Sequence, residues 1–144
     1  MAHTYSHVYL HTIFSTFRRE PLLTDGLGPR VHAYMATVLR NLGCRVVVIN
    51  GMPDHVHLLF RMAPERAQAD LVRDIKANSS GWIHRTVPSL RGFAWQAGYG
   101  VFSVSGSGVA RVKEYIVNQQ EHHRTRTFAE EFAEMLRLHR ELGL

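Results

Sequence analysis

The order of periodicities along this 144-residue chain predicts an α+β fold, an antiparallel sheet with helices packed on one face. Three observations carry that expectation. Alternating apolar residues open the chain, a β-branched hairpin stands near its middle, and an aromatic, glycine-punctuated stretch follows. The two intervals between them repeat at helical spacing.

From Thr4 to Phe14, Val8, Leu10 and Phe14 share one face and His7, Tyr9, His11 and Ile13 the other, as in a half-buried strand. Arg18-Arg19-Glu20-Pro21 breaks the pattern. Val31, Tyr34, Met35, Val38, Leu39 and Leu42 then recur over about four helical turns, and Gly43 stands where a left-handed C-terminal cap belongs. Arg45 to Asn50 (RVVVIN) is a strand, Gly51-Met52-Pro53-Asp54 a turn, and His55 to Met62 (HVHLLFRM) the returning strand. A second helix covers about Gln68 to Arg85, with Leu71, Ile75, Trp82 and Ile83 as its apolar side; Gly81 weakens its last part. Phe93 to Ser105 suits a final strand bent at its glycines.

Strand, helix, strand, strand, helix, strand is the ferredoxin-like βαββαβ plan, here a core of about residues 4–105 with one sheet face left open. Beyond Ser105-Gly106-Ser107-Gly108 a helix is expected over about Val109 to Arg124. Thr127-Phe128-Ala129-Glu130 is a capping box that opens a last helix, to about residue 142, carrying Phe128, Phe132, Met135, Leu136 and Leu142. These two helices have room to cover the open face or a partner subunit. No repeat, linker or low-complexity tract divides the chain, so a single domain over residues 1–144 is expected.

Composition narrows the function. Basic residues outnumber acidic ones 17 to 12, and 15 of the 17 are Arg, whose planar fork suits phosphate, so a nucleic acid is the natural partner. The plainer alternative is a solvated basic surface. The lone Cys44 builds neither a disulfide framework nor a Cys-based zinc cage, and no apolar run approaches the roughly 20 residues a bilayer needs. A reduced, cytoplasmic protein is expected.

Ten histidines are a surplus. His55 and His57 sit at i and i+2 of a strand, so both imidazoles face one side and suit a single metal, while Val56, Leu58 and Phe60 point into the core. Such a composition yields about 0.7 such pairs by chance, so the pair alone leaves open two half-exposed histidines on a hairpin. On the helix after Gly108, Tyr115, Gln119, His122 and Arg126 fall within about 60° of one another, beside an apolar side of Val109, Val112 and Ile116. The plainer alternative is an amphipathic helix with solvated polar residues. Taken together, a paired imidazole, a tyrosine hydroxyl and an amide could surround one metal and one phosphate. A tyrosine attacks a phosphodiester when a divalent ion neutralises the phosphate oxygens and stabilises the leaving oxygen. Two imidazoles and one amide oxygen, with no thiolate, suit Mn²⁺ or Mg²⁺. A covalent protein nucleophile conserves the energy of the broken bond, which allows strands to be rejoined.

Four stretches, HVYLHTIFST (7–16), MPDHVHLLF (52–60), WQAGYGVFSVS (95–105) and YIVNQQEHH (115–123), resemble the single-tyrosine HUH transposases of the smallest bacterial and archaeal insertion sequences, with the REP-associated tyrosine transposases the nearest relatives. The likeness runs in order from about residue 7 to about residue 132. It implies that His55 and His57 are the metal-binding pair, Gln119 the third ligand and Tyr115 the nucleophile, forming a 5′-phosphotyrosine and releasing a 3′-hydroxyl. It also implies single-stranded DNA with hairpin ends as substrate, and a homodimer with active sites shared between subunits. Two positions depart from the family. Phe17 stands where Lys is usual, so a basic contact there is missing or falls to Arg18 or Arg19, and Gly106 with Gly108 loosens the connector before the tyrosine helix, as a hinge or as plain loop.

Further DNA contacts are expected from Arg18, Arg19, Arg73, Lys76 and Arg85, with His122 and His123 near the end of the tyrosine helix; solvated exteriors and helix capping are the alternatives. Trp95 and Tyr99 are candidates for stacking on bases, with core packing the stronger expectation for Trp95. Two rival functions remain: a non-catalytic hairpin or single-strand DNA-binding protein of the same fold, and a metal-dependent nuclease in which water replaces Tyr115.

Overall fold

The computed structural model describes residues 3–122 and 126–141. Four strands, β1 (Tyr9–Ser15), β2 (Arg45–Met52), β3 (His55–Arg61) and β4 (Gly100–Val104), form one sheet in the order β2-β3-β1-β4. Every neighbouring pair is antiparallel. Helix α1 (Leu27–Asn41) joins β1 to β2, and α2 (Gln68–Thr86) joins β3 to β4, which is the ferredoxin-like arrangement. Three further helices follow: α3 (Val109–Val117), α4 (Gln119–His122) and α5 (Phe128–Glu141). No described helix is long and apolar enough to cross a membrane.

The period-2 alternation of β1 and β3 sorts their side chains to two faces. Leu10, Phe14, Val56, Leu58 and Phe60 face α1 and α2, where they pack on Val31, Met35 and Leu39 of the first helix and Leu71, Ile75 and Ile83 of the second. Burying each such side chain stabilises the fold by about 1.5–3 kcal/mol. Helix α1 ends as its sequence predicts. Gly43 has φ +86°, its N–H donates to Arg40 O, and the N–H of Cys44 donates to Leu39 O, a Schellman cap that needs a residue tolerant of left-handed backbone.

On the other face, Ile13, Leu59 and Val104 pack against Val112, Tyr115 and Ile116 of α3 and Met135 and Leu138 of α5. The two C-terminal helices thus cover the open face within the one chain. The α5 capping box forms: Glu130 N–H donates to Thr127 Oγ1 at 3.2 Å and Thr127 N–H to Glu130 Oε1 at 3.3 Å.

Three expectations need correction. The first strand starts at Tyr9, not Thr4, because both ladders that flank it end at Tyr9, paired with Arg61 on one side and Val104 on the other. The last strand covers Gly100–Val104 only. Residues 93–99 leave the sheet, touching it through one bridge between Thr16 and Trp95, and turn Phe93 and Trp95 into the core. Trp95 Nε1–H donates to Ser79 Oγ at 2.9 Å, with its ring edge-on to Phe14 and Phe93, so its aromatic bulk serves packing rather than base stacking. The helix expected over 109–124 breaks at Asn118. Asn50 of β2 donates its Nδ2 to Ile116 O at 2.9 Å and Val117 O at 3.3 Å, taking the carbonyls that a continuing helix would bond to residues 120 and 121. The glycines before α3 form a short 3₁₀ turn, Gly106–Gly108, and neither has a positive φ. Gly81, by contrast, does not interrupt α2.

Candidate metal and tyrosine site

The β2–β3 hairpin places the first two functional side chains. Gly51 is required where the strands close, since a Cβ built there would collide with His55 O and lie 2.9 Å from Val56 Cα. Just beyond it, His55 and His57 project toward α3 and α5, and both are fully buried, so the half-exposed alternative does not hold. The Nδ1 of His55 lies 2.7 Å from Asp54 Oδ1. The carboxylate accepts that N–H, which leaves Nε2 as the atom turned into the site.

Tyr115 and Gln119 arrive from α3 and α4. Although the helix breaks between them, their spacing of four still places both over the imidazoles. Gln119 Oε1 lies 3.0 Å from His55 Nε2, and the ring of Tyr115 stands edge-on to His57 with centroids 6.0 Å apart. Asn50 holds the break, and Gln120 adds a hydrogen bond back to Gly51 O at 3.1 Å. Tyr115 comes here from the same chain as the histidines.

Glu131 of α5 completes the cluster. Its Oε1 lies 2.9 Å from His57 Nε2 and its Oε2 3.2 Å from His55 Nε2. The same carboxylate accepts from Gln119 Nε2 at 2.6 Å and from the Tyr115 hydroxyl at 3.2 Å. One buried carboxylate therefore touches four site side chains.

Electrostatics follow from this burial. Burial alone would push the Glu131 carboxyl up, but hydrogen bonds from His55 and His57 and their positive potential hold it far below the usual carboxylate range. Burial also opposes charge on His55, yet Asp54 and Glu131 outweigh it and raise the imidazole to about 9. The Tyr115 hydroxyl is pushed well above its ordinary value, by burial first and then by the charge of Glu131.

Ligating atoms of His55, His57 and Glu131 lie within 4.8 Å of one another. With Gln119 Oε1 beside them, the donors are two imidazole nitrogens, a carboxylate and an amide oxygen. That set fits a hard or borderline divalent ion such as Mg²⁺ or Mn²⁺.

Behind His57 the imidazoles continue. His57 Nδ1 lies 2.9 Å from His11 Nε2, and His11 Nδ1 lies 2.7 Å from His139 Nε2. Both outer rings are buried and held below the usual histidine range. Burial is the main cause for each, with neighbouring imidazoles adding to it, and His139 is lowered to about 4.

The structure thus brings together His55, His57, Tyr115 and Gln119 from among the residues singled out in the sequence. The rest disperse. Arg18 and Arg19 occupy the turn after β1 with φ of 57° and 54°, a left-handed conformation unusual for arginine. The Arg18 guanidinium stands 5.1 Å over the Phe17 ring. Lys76 donates to Gln96 O at 2.8 Å and Gly98 O at 2.6 Å, which ties down the loop before β4. Arg73 is exposed on α2, across the sheet from the imidazoles, and pairs with Asp70 and Asp74. Tyr99 is partly exposed at 41%. The polar stripe does not extend to Arg126, which precedes α5 and pairs with Glu134. The side chain of His122, and His123 entirely, lie outside the described residues.

Sequence reasoning missed Glu131, Asn50, His11 and His139 as parts of the site. For Glu131 a signal existed: it is a carboxylate on the apolar stripe of α5, four and seven residues before Met135 and Leu138.

The family model described as "Transposase IS200 like" matches residues 4–119. The ISDra2 transposase TnpA of Deinococcus radiodurans is 27% identical over 116 residues, covering 77% of this chain and 83% of that protein. Among solved structures, a Deinococcus radiodurans protein assigned to the transposases superposes with a TM-score of 0.67 at 27% identity, covering 83% of this chain and 96% of that one. A REP-associated tyrosine transposase bound to a REP hairpin shares the fold, with a TM-score of 0.61 at 17% identity, covering 85% and 73%.

Proposed function

The chain belongs to the IS200-like transposase family, and from that premise we propose that it cuts and rejoins single-stranded DNA through a covalent bond to Tyr115. The observation that carries this is the convergence of His55, His57, Gln119 and Glu131 on one point, with the Tyr115 hydroxyl 3.2 Å from the shared carboxylate.

His55, His57, Gln119 and Glu131 are the residues that would hold a divalent ion. When bound, the ion supplies positive charge that polarises the scissile phosphate and stabilises the leaving oxygen. Asp54 fixes the tautomer of His55, and the buried walls exclude water from competing as nucleophile. The Tyr115 oxygen attacks phosphorus, a tyrosyl P–O bond forms, and the bond to the 3′ oxygen breaks. The hydroxyl proton passes by way of Glu131 Oε1, which accepts its hydrogen bond at 3.2 Å, to the departing oxygen, which becomes a 3′-hydroxyl. The 5′-phosphotyrosine keeps the bond energy, and a second 3′-hydroxyl reverses the step to rejoin strands.

For the DNA, hairpin ends are the proposed feature bound, as in the solved relative that holds a REP hairpin. Arg18 supplies the charge usual at position 17, since its guanidinium lies over the Phe17 ring, and Arg19 extends it. Lys76 acts by ordering residues 96–98, while Arg73, across the sheet and paired with Asp70 and Asp74, would touch only DNA that runs beyond the cleavage site. A homodimer with shared sites belongs to the same proposal, and would require α3 to leave its own sheet for its partner's. The chain acts in the cytoplasm on nucleoid DNA.

The test is incubation of the protein with Mn²⁺ or Mg²⁺ and single-stranded DNA carrying a hairpin end of its own element. A denaturation-resistant protein–DNA adduct is expected, and Tyr115→Phe abolishes it. Cleavage that survives Tyr115→Phe would favour water as nucleophile, and hairpin binding without cleavage a binding module.

A further inference from the structure

His11 and His139 take no part in the chemistry above, yet they are 0% and 2% exposed and form an unbroken imidazole chain to His57. Successive ring centroids lie 5.2 Å and 5.0 Å apart with tilts of 32° and 35°. His139 is stacked on Phe102 at 4.4 Å and 15°, which fixes its rotamer. A nitrogen of a buried imidazole must find a partner or lose about 1–3 kcal/mol, and the described partner of His57 Nδ1 is His11.

We infer that His11, itself held by His139, is the positioning residue that presents His57 Nε2 to the divalent ion. This inference rests on the metal site proposed above. A cation takes the lone pair of Nε2, so the proton of His57 must sit on Nδ1 and be accepted by His11 Nε2. His11 then carries its own proton on Nδ1 and passes the same demand to His139 Nε2. All three rings then carry their proton on Nδ1, and the chain ends at His139, whose Nδ1 has no partner among the described residues. Helix α5 therefore builds the site twice, through Glu131 in its first turn and His139 in its last, and strand β1 contributes through His11.

A ring that merely filled space could be replaced by any ring of its size. The two roles part in two substitutions: His11→Phe keeps the volume and removes the acceptor, while His11→Gln offers an amide oxygen close to where Nε2 stands. Isothermal titration of the full-length protein with Mn²⁺ reads the difference, with His57→Ala as the site control and metal-free Tm as the folding control. Wild type is expected to show binding that His57→Ala removes, His11→Phe to weaken it by roughly 10- to 100-fold, and His11→Gln to stay within about threefold of wild type. Equal Mn²⁺ affinity in wild type and His11→Phe overturns the inference while leaving the metal site standing. Absence of any His57-dependent Mn²⁺ binding in wild type overturns the metal site itself. Should His11→Phe fail to fold, histidine ¹⁵N spectra of the wild-type protein at saturating Mg²⁺ decide: His11 with its proton on Nδ1 supports the inference, and His11 with its proton on Nε2 contradicts it.

Discussion

The two faces of one sheet are built on opposite terms. Against α1 and α2 the packing is almost wholly apolar, with Val31, Met35, Leu39, Leu58, Phe60 and Leu71 entirely buried. Against α3 and α5 a smaller apolar set surrounds a connected polar cluster, in which His11, His55, His57, Gln119 and Glu131 are at most 1% exposed and Tyr115 is 8% exposed. Burying polar groups costs free energy unless each finds a partner, and here they find one another. The first face stabilises the scaffold, and the second uses part of that stability to hold chemistry out of water.

The sharpest way to break this contrast is to cut each face once. Leu58→Ala, on the apolar face, is expected to destabilise by about 2–5 kcal/mol, read as a lowered urea midpoint. Its neighbour on the polar face, His57→Ala, is expected to remove DNA cleavage while hairpin affinity in gel shifts stays within a few-fold, because the metal acts on the scissile phosphate rather than the stem. Parallel loss of cleavage and hairpin binding in His57→Ala would contradict the division.

A subtler cut is made with pH, in chelator so that no metal competes. His55 is raised to about 9 from an ordinary 6.5, so its charged contacts stabilise fully below 6.5 and that contribution is lost as pH rises through 9. Glu131 is lowered, so its contribution is present above an ordinary 4.5 and lost as pH falls toward its depressed value. His11 and His139 are held below 6.5, so the folded state loses stability relative to the unfolded as pH falls from 6.5, and the metal-free Tm is thus expected to be highest near pH 6.5 and to decline both toward 4 and toward 9. His55→Gln should flatten the alkaline decline, and an unchanged decline in that variant would assign it to another group.

Much of the apolar face was legible in the sequence, because helical and strand periodicities are local properties: α1, its Gly43 cap, the RVVVIN–HVHLLF hairpin and α2 all follow from neighbours within a few residues. Half of the polar face was legible for the same reason, since His55 with His57 and Tyr115 with Gln119 share a face by spacing alone. The remainder depends on contacts across the chain. Glu131 meets His57 over 74 residues, His11 meets His139 over 128, and Asn50 breaks the tyrosine helix from 66 residues away. Aromatic content misled at residues 93–99, because Phe93 and Trp95 suit a strand and a core equally.

Asn50→Ala tests the long-range part. It is expected to cost about 1–2 kcal/mol, by leaving the Ile116 and Val117 carbonyls without their side-chain donor, and to lower the cleavage rate more than hairpin affinity. Smallest of all is Thr127→Ala, which removes one half of the α5 capping box for about 1 kcal/mol and should loosen Glu131 and His139 together. A larger loss from Thr127→Ala than from Asn50→Ala in the same melts would reverse that ranking.

Where the covalent bond forms tests the central claim most directly. The protein is trapped on metal-activated, hairpin-bearing single-stranded DNA, the adduct is digested with nuclease and trypsin, and the nucleotide-bearing peptide is sequenced by mass spectrometry. The phosphonucleotide is expected on Tyr115, within the peptide that follows Lys113. Attachment to any other residue, or cleavage that leaves a free 5′-phosphate and no adduct, would contradict the account.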